Sequence, residues 1–463
     1  MIEKILNILN NYENILILGF GREWKTSYNF IRRHFPNKKL TILDENQIWE
    51  INDENTEILI EKTSIERLRQ FDLIIKSPWV PFKWMDTEWL NITSQLELLL
   101  EVDRENVIAI TGTKGKSTTT TLLYQVIKNQ KENTFLLWNI WVPIFEQIEN
   151  FDEDSTLVIE CSSHQLQYIN TSPHIAILLN LYPEHLDHYN NLQEYYESKL
   201  NIFKYQTEWD FAIVDEQVIN VMKQPLRPSA TPAKAGQASP NREEISPLIG
   251  GDPAKAGEGV VKTIIWKDTL IQWDFVVLNW KEIYNIHEPR KLLWEHNLRN
   301  IMNIFVVCDI SWLDFEKAKK VISEFKPLEH RMELVWTFDW VTYYNDSIAT
   351  IPESTINSLK SIPNVNTLIL WWMDRWIDYS KLIDFVNSSN VENVICLPKT
   401  GHDLQPSLTK KTYKVDNLPE AVKIAKEVTK KWYVCLLSPA ASSYTFFKNF
   451  EERGRMFKEL VKN

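Results

Sequence analysis

The chain has 463 residues, 44% hydrophobic and 24% charged, which suits two or three globular domains and excludes a disordered polymer. Its formal net charge of −11 argues against a general nucleic-acid binder, which would carry a basic face. Four scattered cysteines (Cys161, Cys308, Cys396, Cys435) lack finger or CxxC spacing, and no run approaches the ~18 apolar residues of a membrane span, so disulfide scaffolds, zinc modules and membrane proteins drop out.

The N-terminus, Met1-Ile-Glu-Lys-Ile, has no basic stretch followed by an apolar one, so the expected location is the cytoplasm, with a monomer as the default assembly. Short apolar runs alternate with longer amphipathic stretches, the pattern of α/β folds. Asn14–Gly19 predicts a buried strand ending at a glycine turn, followed by strands at Leu40–Asp44 and Phe71–Lys76 in a first domain over 1–104. Asn106–Thr111 opens a second domain, 105–326, with fully apolar strands at Leu157–Glu160 and Ile175–Asn180, as parallel central strands require. A third domain, 327–463, holds strands at Thr367–Leu370, Asn393–Leu397 and Tyr433–Leu437 and a helix over Leu418–Thr429. Residues 225–262 break this texture. They are rich in Pro, Ala, Gly and Ser, repeat Pro-Ala-Lys-Ala-Gly, and predict a flexible surface insertion without chemistry.

Nineteen tryptophans stand against eleven glycines. The tryptophans fall in turn contexts such as Ser77-Pro-Trp79-Val-Pro81 and Asp339-Trp340-Val, where positive φ or close backbone approach favours glycine. Replacing all of them would bring glycine near its average usage of about 7%. The expectation is a gene from a code that reads UGA as glycine, written out here in the standard code.

Thr111-Gly-Thr-Lys-Gly-Lys-Ser-Thr118 joins a predicted strand to a predicted helix, the context that makes a Gly/Lys motif a phosphate cradle. The backbone of Gly112, Thr113, Lys114 and Gly115 and the helix N-terminus offer positive partial charge to an anion. Lys116 is placed to reach the β/γ phosphates, and Ser117 or Thr118 to hold magnesium. The expected ligand is ATP.

This loop resembles the TGTNGKST loop of the Mur ligases, ATP-dependent amide-forming enzymes of peptidoglycan synthesis, with Lys114 where asparagine is usual. Ser77–Pro81, Trp138–Pro143 and Leu437–Gly454 resemble the SPGIP, GNIGxP and LSPACASxDxFKNFExRG motifs of the family's D-glutamate-adding branch. The resemblance spans the chain apart from the insertion, and each family glycine missing from these motifs is a tryptophan.

The resemblance implies a Rossmann-like N-terminal domain for UDP-N-acetylmuramoyl-L-alanine, a central P-loop ATPase-like parallel sheet, and a Rossmann-like C-terminal domain for D-glutamate. It implies Lys116, Lys199 and His185 as catalytic. Ser117, Glu160, His185 and Lys199 are implied to serve two magnesium ions, with Lys199 carbamylated. Asn297 and Asn300, which match GxHNxxN, are implied at ATP together with Arg331 and Asp346. Gly21, Arg22, Asp44, Ser77 and Asn139 are implied at the UDP substrate, and Thr350, Arg375, Ser443 and Phe450 at D-glutamate. Besides Lys114, three departures stand out: Glu184 for aspartate, His164 for an aromatic, and Ile348 where one branch has lysine. His164 reads as packing or polar lining. A sibling ligase using another amino acid, such as L-glutamate, would share the phosphate loop. A non-catalytic, Trp-rich glycan-binding protein would need accessible indoles and no ATP hydrolysis.

Overall fold

A computed structural model of the chain describes residues 1–19, 22–45, 51, 53–137, 143–184, 188–223, 262–266, 271–272, 275–278, 281–288, 290, 295–326, 329–350, 352–370, 379–441, 443 and 446–463. Apart from Lys262, the 225–262 insertion lies outside them. Met1–Phe325 form one compact unit and Lys326–Asn463 a second.

The first unit holds two parallel sheets. Strands β1 (Ile15–Leu18), β2 (Leu40–Asp44), β3 (Thr56–Ile60), β4 (Leu73–Lys76) and β5 (Ile92–Thr93) form a sheet of order β3-β2-β1-β4-β5. The second contains β6 (Val107–Thr111), β7 (Thr134–Leu137), β8 (Thr156–Glu160), β9 (Ile175–Leu178), β10 (Phe211–Asp215) and β11 (Lys262–Trp266), ordered β11-β10-β9-β6-β8-β7. The Ile/Leu/Val runs of β1, β6 and β9 are buried throughout, because helices cover both faces of such sheets. A small antiparallel sheet of β12 (Ile271–Gln272), β13 (Phe275–Leu278) and β14 (Lys281–Asn285) follows. Residues 1–104 and 105–325, each with one of the parallel sheets, both lie in the first unit. One apolar cluster joins them, running from Ile5, Ile15 and Ile42 to Leu157, Leu178 and Tyr195.

The second unit holds β15 (Glu333–Phe338), β16 (Val341–Asn345), β17 (Val365–Leu370), β18 (Asn393–Cys396), β19 (Lys411–Lys414) and β20 (Val434–Leu437), ordered β15-β16-β20-β17-β18-β19. Only the β15–β16 pairing is antiparallel. The expected strands and the helix at Leu418–Val428 are present, their ends shifted by one or two residues. No helix among the described residues is long and apolar enough to cross a membrane.

Among the described residues, four of the ten non-glycine residues at positive φ are tryptophans: Trp84 (65°), Trp312 (55°), Trp340 (66°) and Trp432 (72°). Each occupies a glycine position of a known turn. Trp84 and Trp432 are the third residues of turns closed by Met85 N–H to Phe82 O (3.0 Å) and Tyr433 N–H to Lys430 O (3.2 Å), where glycine is favoured. Trp312 follows the helix Glu295–Ile310, and Leu313 N–H donates back to Cys308 O at 2.8 Å, the six-to-one bond of a Schellman stop. Asp339 (45°) and Trp340 form the two-residue β15–β16 loop, where a type I′ turn needs positive φ at both.

Gly454 packs closely against His330. A Cβ there would clash with His330 Nδ1, which itself meets Asn345 Nδ2 at 2.8 Å. Gly454→Ala is expected to lower stability by about 1–3 kcal/mol through overpacking, read by thermal or denaturant melting. An unchanged midpoint would mean that His330 gives way freely.

Candidate active site

The chain leaves β6 toward one edge of the central sheet, returns in β8, and then crosses to β9 on the other side of β6. Open α/β sheets bind ligands at the strand ends of such a reversal. Here those ends carry Thr111 and the phosphate loop, Glu160, and the segment Leu179–Glu184.

The loop is shaped by its neighbours. Gly115 caps the helix Lys116–Lys128 with φ 86°, a left-handed geometry that disfavours any side chain. Asn180 clamps Lys114 from both sides, its Oδ1 accepting Lys114 N–H at 2.8 Å and its Nδ2 donating to Lys114 O at 3.0 Å. Thr113 Oγ1 accepts Tyr182 N–H (2.9 Å) and meets Tyr195 OH at 3.0 Å. Asn300 packs against Gly115, its Oδ1 3.1 Å from where a Cβ would sit, and donates to Asn297 Oδ1 at 3.1 Å. The loop, Asn297 and Asn300 are thus brought together.

Lys116 Nζ donates to Gly112 O (3.0 Å) and Thr113 O (3.2 Å). Asn191 caps the helix Leu192–Lys204, which carries Lys199 under the loop. Lys199 is 2% exposed, and its Nζ also donates to Gly112 O, at 3.0 Å. Burial, aided by the Lys116 charge, holds its pKa well below the ordinary lysine value; Glu184, Cys161 and Glu160 oppose the shift. Glu160 is buried at the end of β8, beside Cys161, whose carbonyl accepts Thr111 Oγ1 at 2.8 Å. The ammonium of Lys114 pairs with the Glu184 carboxylate, so two of the departures from the family motif face each other. His164 is interior: its ring stacks on His188 at 4.0 Å, and Nδ1 meets Tyr189 OH at 3.1 Å.

At the strand ends of the N-terminal sheet, Ser77 Oγ donates to Gly19 O (3.1 Å), and Gly19 N–H donates to Leu43 O (2.9 Å) beside buried Asp44. Arg22 starts the helix Arg22–His34. Sequence reasoning missed half-buried Glu23 and buried Lys76; desolvation raises the Glu23 carboxyl and lowers the Lys76 ammonium. Gln165 reaches Glu23 from the segment after β8, at 3.3 Å.

In the second unit, Asp346 is buried, which pushes its pKa up to about 6. Its oxygens accept Ser358 Oγ (2.5 Å), Ser438 Oγ (2.8 Å) and Met332 N–H (3.2 Å), so it fixes the backbone next to half-buried Arg331. Arg453, also missed, is fully buried. It donates to Ser347 Oγ (2.9 Å), Ser347 O (2.7 Å) and Ala441 O (3.1 Å), tying the Asp346 loop to the loop that carries buried Ser443. Phe450 O accepts Ser347 Oγ at 2.7 Å, and Thr350 lies half-buried just beyond. Gly21, Asn139, His185, Arg375 and the Arg22 side chain lie outside the described residues.

Residues 110–241 match the Mur ligase middle domain. A UDP-N-acetylmuramoylalanine–D-glutamate ligase from Geobacter sp. (strain M21) is 34% identical across 84% of this chain and 83% of its own length. One from Oenococcus oeni is 30% identical across 98% of both chains. The fold is similar to that of MurF ligase from Thermotoga maritima in complex with ADP, at TM-score 0.54 and 16% identity over 97% of this chain and 95% of that one. The UDP-N-acetylmuramate-alanine ligase MurC of the same organism gives TM-score 0.51 at 16% identity, over 97% and 99%. With relatives at this identity along nearly its whole length, the chain belongs to the Mur ligase family, among the UDP-N-acetylmuramoylalanine–D-glutamate ligases.

Proposed function

We propose that the chain joins D-glutamate to UDP-N-acetylmuramoyl-L-alanine, using ATP, as a cytoplasmic monomer in peptidoglycan precursor synthesis. The observation that carries this is the convergence of the phosphate loop, Glu160 and buried Lys199 at one end of the central sheet. The γ-phosphoryl group passes to the substrate carboxylate, giving an acyl phosphate and ADP. The D-glutamate amine then attacks the carbonyl carbon, the C–O bond to phosphate breaks, and amide, phosphate and a proton leave.

Two anions must meet in the first step, so positive charge has to crowd around the transferring group. Lys116 and the amides of residues 112–115 supply it from the loop, and Asn297 and Asn300 buttress that loop. The buried Glu160 carboxylate and the Ser117 hydroxyl are hard oxygen donors that fit magnesium, with His185 as a further proposed ligand. Bound there, magnesium would neutralise phosphate charge. Lys199 as an ammonium fits no cation; its lowered pKa favours the neutral amine, the form that adds CO2 to become a carbamate anion. Gly21, Arg22, Asp44, Ser77 and Asn139 are proposed for the UDP substrate. Thr350, Arg375, Ser443 and Phe450 are proposed for D-glutamate, with Arg331 for ATP and Asp346 bracing it.

The test supplies the chain with ATP, UDP-N-acetylmuramoyl-L-alanine and D-glutamate. Phosphate release is expected only when all three are present, with a product heavier by one glutamate residue. Equal turnover of L-glutamate, or release without any amino acid, would overturn the assignment.

A further inference from the structure

The ion pair between Lys114 and Glu184 joins the phosphate loop to the segment that leads, one residue on, into His185. The two residues are 70 positions apart, and the Glu184 side chain is only 10% exposed, so its charge is held in a confined place. The same carboxylate raises the proton affinity of Lys199 and of Tyr195, placing its field at the centre of the cluster. The backbone of Lys114 is already fixed by Asn180, so its side chain is free to act without altering the loop's path.

We propose that Lys114 is a positioning residue: through its ion pair it holds the Tyr182–Glu184 segment against the phosphate loop and screens Glu184 from the incoming polyphosphate. A partly buried carboxylate stripped of its partner repels a nearby anion and loses its own compensation. Lys114 thus serves ATP by managing a neighbouring charge, whereas direct contact with phosphate would make it independent of Glu184. The inference rests on the ligase activity proposed above.

The test is a double-mutant cycle on the full chain, with KM for ATP and kcat read separately by phosphate release and ADP affinity by calorimetry. Lys114→Ala is expected to raise KM for ATP and weaken ADP about tenfold, a change of about 1.4 kcal/mol. Glu184→Ala should leave KM for ATP within about twofold but lower kcat about tenfold, in the range of other displaced positioning groups. The double variant should regain the parent's KM for ATP while keeping the low kcat. If the Lys114→Ala effect persists undiminished in the double variant, or is absent from the single one, the proposal fails. Glu184→Gln repeats the cycle should Glu184→Ala melt early. A parent chain that binds ADP yet releases no phosphate would instead count against the ligase activity itself.

Discussion

Lys199→Met is expected to lower kcat for phosphate release by about 10²–10³-fold, the usual cost of removing a preorganised charged group, while leaving the fold about as stable. The ammonium is costly where it lies, 2% exposed and beside Lys116, so an apolar chain of similar length removes a desolvation penalty as well as the bond to Gly112 O. Stability against pH separates the two roles. With its pKa depressed in the fold, Lys199 gives up a proton that the unfolded chain retains. The parent therefore gains stability as pH rises from the depressed value toward the ordinary 10.5. The variant should lack that rise. Supplied with ¹³C-bicarbonate, the parent should show a carbamate resonance that the variant lacks. Retention of more than about a tenth of the parent kcat would remove Lys199 from the chemistry, since a tenth is only about 1.4 kcal/mol.

Replacing all nineteen tryptophans by glycine should raise both melting midpoint and activity. A side chain in the left-handed region costs about 1–2 kcal/mol, against which glycine loses about 0.5–1 kcal/mol of extra unfolded-state entropy. Trp84, Trp312, Trp340 and Trp432 each stand to gain from that difference, and Trp312, 94% exposed, gives up no burial. Trp24 should behave oppositely on its own. It is 4% exposed, and Trp24→Gly opens a cavity at a cost of about 3–5 kcal/mol unless substrate fills it. Mass spectra of the peptide 77–83 from native cells decide which residue position 79 carries. Glycine there, with higher activity in the nineteen-glycine chain, is the expected pair of results. Tryptophan there, or equal melting and turnover, would overturn the recoding.

The phosphate loop was legible because strand, glycines and lysine lie within a dozen consecutive residues, and so were the fully apolar parallel strands. The β15–β16 hairpin was not. Its two-residue loop is Asp339-Trp340, where Asp-Gly would have been among the strongest hairpin signals. Pairings across long separations escaped for another reason. Lys114 with Glu184, Glu23 with Gln165, and Arg453 with Ser347 depend on which strand ends the topology gathers, and no local spacing encodes that.

The apolar cluster runs through both parallel sheets of the first unit, so opening either sheet exposes apolar side chains packed against the other. Whatever binds the folded form of either sheet adds RT ln(1 + [L]/Kd) to the work of opening both. A ligand held near Gly19, Asp44 and Ser77 is therefore expected to slow exchange at Gly112–Lys116 wherever that exchange requires both sheets to open.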